Sequence, residues 1–397
     1  MTKLDEFIQE LCPDGVKYLP IPELFITRNG YTPSKANNEF WENGTIPWFR
    51  MEDIRENGRI LTTATQYVSE KAVKGKLFPA DSIIIATSAT IGEHALIKVP
   101  SLANQRFTYL TLKDEFKDCV DMMFVFYYCF RLDEYCKSHL NQGNFASVDM
   151  KQFAAFKFPV PPLPVQREIV RILDNFTELT AELTAELTAE LTARKQQYAY
   201  YRDKLLTFGD VRGGATSDVV WKTLAEIADI STGSSNTDDA VKGGCYPFFV
   251  RSQQLLAKDE YEYDEEAIIT AGDGVGVGNV FHYINGKYAL HQRAYRIHPA
   301  TDGLLGKYLY HYFVATFPKY IGQQMYQGSV PSIRRPMLNK FQVAIPSLDV
   351  QSRIVNVLDN FDAICTDLSS GLPAEIEARQ KQYEYYRDKL LSFEEKI

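Results

Sequence analysis

The chain has 397 residues, 45% of them hydrophobic and 13% aromatic, which is enough for two or three compact domains with cores of their own. A net charge of -8 weighs against a uniformly basic nucleic-acid binder, because phosphate contacts need Lys and Arg, but a basic face can coexist with acids gathered elsewhere. No run approaches the roughly 18 apolar residues of a membrane span, the opening MTKLDEFIQELCPDG carries acids where a signal peptide needs an apolar run, and the six cysteines include no C-x-x-C. A cytoplasmic protein with reduced thiols, no zinc site and no membrane partner is therefore expected.

In chain order, residues 1–157 read as an α+β globule. DSIIIATSATIG (81–92) looks like a buried strand leading into a tight turn, and CVDMMFVFYYCFRLDEYCKSH (119–139) like an amphipathic helix. Residues 158–208 read as one long helix. Its apolar positions, Val165, Ile169, Ile172, Leu173, Phe176, Leu179, Leu183, Leu187, Leu191, Tyr198, Tyr201, Leu205 and Phe208, recur in steps of three and four. Within it runs TELTAELTAELTAELTAR (177–194), a four-residue unit repeated in an otherwise irregular chain. One unit is just over a helical turn, adding ~6 Å of length and ~40° of rotation. Residues 209–342 read as a second globule, with EAIITAGDGVGVGNVF (266–281) as strand and turn and GLLGKYLYHYFVATFPKY (303–320) as helix. Residues 343–397 return to helix, interrupted at SSGLP (369–373), where Gly371 ends one segment and Pro373 starts the next.

The second half repeats the first. VQREIVRILDNF (165–176) returns as VQSRIVNVLDNF (350–361), and RKQQYAYYRDKLLTF (194–208) as RQKQYEYYRDKLLSF (379–393), both offset by 185 positions. Every apolar stripe position of the first helix has an apolar partner at that offset. Two helices with matched narrow stripes most simply bury them against each other, which would set Leu179, Leu183, Leu187 and Leu191 beside Ile364, Leu368, Leu372 and Ile376. Low-complexity slippage in a solvated helix is one account of the four-residue repeat; the equal length of the copies argues against it and for a repeat that sets a distance.

Catalytic signatures are weak. GDGVGVG (272–278) lacks both the phosphate-loop lysine and a following helix, and reads as a turn between strands. The six histidines show no metal-ligand spacing, and no G-x-S-x-G elbow occurs. What recurs is a set of polar and basic loop residues in both halves: Arg50, then Thr87, Ser88 and Thr90, then Asn104, Gln105 and Arg106, then Gln142 and Asn144 in the first, and Arg251 and Ser252, then Asp273, then His291, Gln292 and Arg293, then Ser329, Arg334 and Arg335 in the second. Arg paired to guanine and Asn or Gln to adenine are the usual major-groove readers. Lys71, Lys74 and Lys76 suit phosphates. For any single residue, backbone satisfaction or a solvated surface is an equally good account.

LPVQREIVRILDNF...RKQQYAYYRDKLLTF, its second copy, the TAEL run, and LCPDGVKYLPIPEL with its counterpart VVWKTLAEIADISTG together resemble the specificity subunits of type I restriction-modification enzymes, in particular the TAEL-repeat (type IC-like) group. The resemblance spans the whole chain. It implies two target-recognition globules separated by a long antiparallel two-helix coiled coil in a pseudo-two-fold tandem repeat. It also implies double-stranded DNA as target, read in two halves across a fixed spacer. The partners it implies are two methyltransferase subunits, with S-adenosylmethionine, and restriction/translocase subunits, with ATP and Mg; no cofactor is expected on this chain. A helix pair of ~40 residues spans ~60 Å and DNA rises ~3.4 Å per base pair, so such a pair could set a spacer. Two other classes remain open: a coiled-coil scaffold carrying protein- or ligand-binding globules, and an enzyme using GDGVGVG.

Overall fold

The computed structural model describes residues 2–141, 146–208, 219–324, 331–366 and 371–396. The chain is α+β and forms two compact units. The first is Met1–Thr184 with Ala378–Ile397, the second Ala185–Glu377.

At the centre of the first unit is the strand Ser82–Ala86, flanked by Phe107–Leu112 and His94–Ile97, both antiparallel to it, with Phe25–Asn29 and Ile60–Leu61 at the edges. SIIIA is apolar without alternation because both faces are covered. Ile83 and Ile85 join the cluster under the helix Met122–Ser138, while Ile84 and Ala86 join a second cluster with Trp48, Phe49 and Tyr109. Each buried isoleucine contributes about 1.5–3 kcal/mol. The second cluster is closed by a small sheet of Tyr67–Val68, Ile46–Phe49 and Leu102–Ala103.

The second unit repeats this arrangement with its two sheets fused. Its strand order is Ala228–Thr232, Ala294–Pro299, Tyr263–Ala271, Phe281–Leu290, Tyr246–Phe249 and Leu256–Lys258. Fusion follows from one strand. Phe281–Leu290 pairs antiparallel with Tyr263–Ala271 and then parallel with Tyr246–Phe249. In the first unit the same two roles fall to His94–Ile97 and Leu102–Ala103, and Pro100, which has no N–H to give a ladder, lies in the break between them.

The long helix Leu163–Leu206 has 44 residues, about 66 Å at 1.5 Å each. Its first turns close the first unit, where Val165, Ile169 and Leu173 are buried and Tyr127 donates to Asp174 (2.7 Å). In the second unit the helix Leu348–Thr366 does the same with Ile354 and Leu358, and Lys307 and His311 donate to Asp359 (2.7 and 2.8 Å). Each unit also takes in the end of the other repeat's helix. Phe176 meets Tyr386 in the first unit (6.1 Å between ring centroids), and Phe361 meets Tyr201 in the second (5.8 Å), the same pair at the 185 offset. Thr177 bonds Tyr383 one step further, so these segments run antiparallel within their unit.

Burial along the repeat is thinner than matched stripes predict. Leu183, Leu187 and Leu191 are half-buried and Leu179 stands 60% exposed. On the second helix Leu372 and Ile376 are half-buried, but Ile364 is 42% exposed and its neighbour Cys365 takes the buried position. Leu368 lies outside the described residues. At the far ends the fully buried leucines are Leu206 and Leu391, one position beyond the Leu205 and Leu390 of the predicted stripe. The described parts of the second copy are two helices, Leu348–Thr366 and Leu372–Leu390, with Gly371 outside both and Pro373 in the first turn of the latter.

Candidate nucleic-acid interface

Backbone hydrogen bonds gather several loops at one rim of each unit. In the first, Asn104 N donates to Phe49 O (3.0 Å), Thr87 N to Arg106 O (2.9 Å) and Val148 N to Thr87 O (2.9 Å). Ser88 bridges Ser147. In the second, His291 N donates to Phe249 O, Gly272 N to Arg293 O (both 2.9 Å) and Ile333 N to Gly272 O (2.8 Å), and Asp273 bridges Ser332. Residues 87–89 and 147–148 therefore map onto 272–274 and 332–333 at the same 185 offset as the helices. Loop and helix were duplicated together.

The turn that carries Asn104, Gln105 and Arg106 is built twice with different side chains. Arg106 N donates to Asn104 Oδ1, and Arg293 N donates to His291 Nδ1 (each 3.0 Å). Gln105 accepts from Thr32, and Gln292 donates to Asn236, tying each turn to the loop after the edge strand. That loop starts at Gly30 or Gly233, where a Cβ would stand 2.3 Å from Asn104 O or 1.9 Å from Leu290 O, so only glycine admits the approach. His291 is buried, and burial, followed by the Arg251 guanidinium, lowers its pKa and keeps it neutral as an acceptor.

Side-chain electrostatics differ between the rims. Asp273 accepts from Arg251 Nη1 (2.7 Å) and Arg293 Nη1 (3.2 Å). Burial works against its carboxylate, but the two guanidiniums prevail and hold its pKa below the ordinary range. Ser88, in the same register, brings no charge. Arg50 donates to Thr65 Oγ1 (3.0 Å), lies over Trp48 and has its backbone N–H capped by Asp53 (2.6 Å). Sequence similarity pairs Arg50 with Arg251 through IPWFR and YPFFVR. The ladders instead align Phe49 with Phe249, which sets Arg50 against Val250 and Arg251 one residue further on.

The remaining residues spread more widely. Thr90 is half-buried beside the turn, Ser252 lies on an exposed loop bonded to Gln254 O (3.1 Å), and Arg334 and Arg335 follow Ile333 into a short helix, both exposed. Lys71 pairs with Glu39 (3.1 Å), Lys74 lies 5.7 Å from the Tyr31 ring, and Lys76 offers its carbonyl to Arg28 (3.1 Å). Gln142, Asn144 and Ser329 lie outside the described residues. GDGVGVG is the connection between Tyr263–Ala271 and Phe281–Leu290, with no helix after it. Among the described residues no three His, Cys, Asp or Glu side chains are placed to hold a metal, and no helix is long and apolar enough to cross a membrane.

Sequence reasoning missed the residues that hold these parts in place. Thr32 and Asn236 carry no spacing signal. Gln166 and Gln351 did, as the polar member of the repeated VQ. Gln166 is fully buried, accepts from Asp121 N (2.8 Å) and donates to Cys119 O and Pro161 O (2.8 and 2.6 Å). Gln351 does the same with Leu305 N, Gly303 O and Pro346 O (2.9, 2.9 and 2.8 Å).

A family model described as the type I restriction modification DNA specificity domain matches residues 13–193 and again residues 216–378. The chain belongs to this family. It is 43% identical over 373 residues to the type I restriction enzyme EcoprrI specificity subunit of Escherichia coli, covering 90% of each chain. It is 34% identical over 284 residues to the EcoR124I/EcoR124II specificity subunit of the same organism, covering 64% of this chain and 68% of that one. Two solved structures share the fold of this type I specificity subunit. One, from work on complex assembly and conformational transition of the type I R-M system, has a TM-score of 0.68 at 15% identity, covering 96% and 98% of the two chains. The other, the HsdS subunit from Thermoanaerobacter tengcongensis, has a TM-score of 0.57 at 14% identity, covering 96% and 97%. The function that goes with the family is DNA sequence recognition within a restriction-modification system.

Proposed function

We propose that the chain is the non-catalytic reader of a bipartite double-stranded DNA target, each unit addressing one half through its rim, and that it belongs to the TAEL-repeat group. Base contacts are assigned to Arg50, Thr87, Ser88, Thr90, Asn104, Gln105, Arg106, Arg251, Ser252, His291, Gln292, Arg293, Arg334 and Arg335, with Asp273 part of the same DNA-binding rim, and phosphate contacts to Lys71, Lys74 and Lys76. The helices form an antiparallel coiled coil whose repeat sets the gap between half-sites. Two methyltransferase subunits and the restriction/translocase subunits supply adenine methylation and cleavage, with S-adenosylmethionine, ATP and Mg on those chains. The supporting observation is one hydrogen-bonded rim built twice with different side chains, NQR against HQR and Ser88 against Asp273. A constant frame with variable groups suits two half-sites of different sequence.

The test is sequencing-based mapping of N6-methyladenine in a host expressing the chain with its cognate methyltransferase subunit. A single two-part motif with a fixed gap is expected. Methylation that does not depend on this chain would overturn the reading and return the scaffold.

A further inference from the structure

We propose that Asp273 is a positioning residue that holds Arg251 and Arg293 as two forks, each shaped for one guanine, so that the half-target read by the second unit contains at least one G·C pair. This rests on the DNA-reading function proposed above.

Three observations carry it. First, Asp273 takes one Nη1 from each arginine, and among the described residues neither guanidinium has another hydrogen-bond partner. The Nε and Nη2 edge of each is left over, and that edge has the two-donor geometry that matches guanine O6 and N7. Second, both arginines line one open cleft of about 480 Å3 on the second unit, together with His291, Gln292, Asp238 and Asp239. Acids at this place oppose a phosphate. They suit a base pair, because G·C presents two guanine acceptors and the cytosine N4 donor side by side in the major groove, and a carboxylate such as that of Asp238 accepts from N4. Third, the first unit has the same backbone without the device. Ser88 stands where Asp273 does, bridged to the equivalent partner, the ladders set the uncharged Met51 in the register of Arg251, and Arg50, one residue earlier, is already bonded to Thr65. The fork is therefore a property of one half-target and not of the fold.

Anchoring has a physical purpose. An exposed arginine loses rotamer freedom when it docks, and a carboxylate that fixes it beforehand removes part of that cost and fixes the plane of the fork. One carboxylate against two guanidiniums leaves the three-group cluster positive, and Asp238 and Asp239 across the cleft offset that charge.

The experiment uses the full chain with its methyltransferase subunits and maps methylated motifs for wild type, Asp273→Ser, Arg251→Lys and Arg293→Lys, with Arg293→Ala as the control that removes the charge. Serine at 273 copies the residue that the first unit carries in the same register, and the lysine variants keep charge while losing the fork. The expected result is that one or two G·C positions in one half of the motif become degenerate in all three variants, with the other half and the gap unchanged. Unchanged motifs throughout would overturn the proposal. So would Arg293→Lys keeping the motif while Arg293→Ala loses it, because that marks a phosphate contact. If Asp273→Ser fails to fold, the two lysine variants still decide the matter. A wild-type chain that yields no motif at all defeats the DNA-reading function itself, an outcome distinct from variants that leave a wild-type motif intact.

Discussion

Ala89 and Gly274 occupy one position of the duplicated rim, at φ of 65° and 81°, a left-handed conformation that costs an alanine about 1–2 kcal/mol and a glycine little. Ala89→Gly should therefore stabilise the first unit by about 0.5–1 kcal/mol once the extra entropy of unfolded glycine is deducted. Gly274→Ala should destabilise the second by about 1 kcal/mol. Nothing lies within 4 Å of the added Cβ at Gly274, so that loss is backbone strain alone. Urea unfolding of the two variants measures both shifts. Equal effects of the same sign would contradict the shared register.

His311 carries a second prediction at this scale. Its Nε2 donates to Asp359, its Nδ1 is buried without a partner among the described residues, and Lys307, Tyr310 and Asp362 line the same cleft. Burial lowers its pKa below 6.5 more than the Asp359 carboxylate raises it. Because the folded pKa lies below the unfolded one, its contribution to stability is complete above about pH 6.5 and is lost as the pH falls toward the folded value. His311→Asn should flatten the stability profile of the second unit on the acid side of pH 6.5. A mutant profile as steep as wild type, followed by thermal melts across pH, would refute it.

At the scale of elements, the long helices were plain in the sequence because a 3.6-residue period survives for dozens of positions. The strand Ser82–Ala86 was plain because an unbroken apolar run needs cover on both faces. Fusion of the sheets in the second unit was not, since it depends on one strand continuing where Pro100 stops its counterpart. The rim was half legible. NQR and HQR could be paired by eye, but the one-residue shift between Arg50 and Arg251 is visible only in the ladders. The buried leucines were missed by one position because Leu205 and Leu206, like Leu390 and Leu391, are adjacent, and periodicity cannot choose between neighbours of equal hydrophobicity. The repeat belongs to this scale as well. Half-buried leucines hold its segments loosely, so the helix tolerates a change of length better than a packed core does. Adding or removing one TAEL unit should change the gap of the methylated motif and leave both half-sites as they are. An altered half-site in the mapped motif would refute the division between ruler and readers.

For the whole molecule, the net charge of -8 and a DNA-reading task are compatible because the charge is distributed unevenly. The TAEL segment supplies acids along an exposed helix, whereas at the second unit's rim Arg251 and Arg293 share a cleft with Asp238 and Asp239, and Arg334 and Arg335 stand exposed beyond Ile333. Modularity is the stronger consequence. Exchanging residues 12–157 for the corresponding region of another specificity subunit should change one half of the target. Changes in both halves of the mapped motif would mean that the units read cooperatively.

The division of the chain into units also fixes an order of events during synthesis. The first unit's core includes Leu391, with Phe393 packed against Phe124, Arg131 bonded to Asp388 O and Ser392 (both 2.6 Å), and Val16 N bonded to Glu394 O (2.8 Å). Residues 378–397 leave the ribosome only after the whole of the second unit has been made. The portion translated first is thus the portion completed last, and until then its unfilled apolar seam is a surface for chaperones to cover.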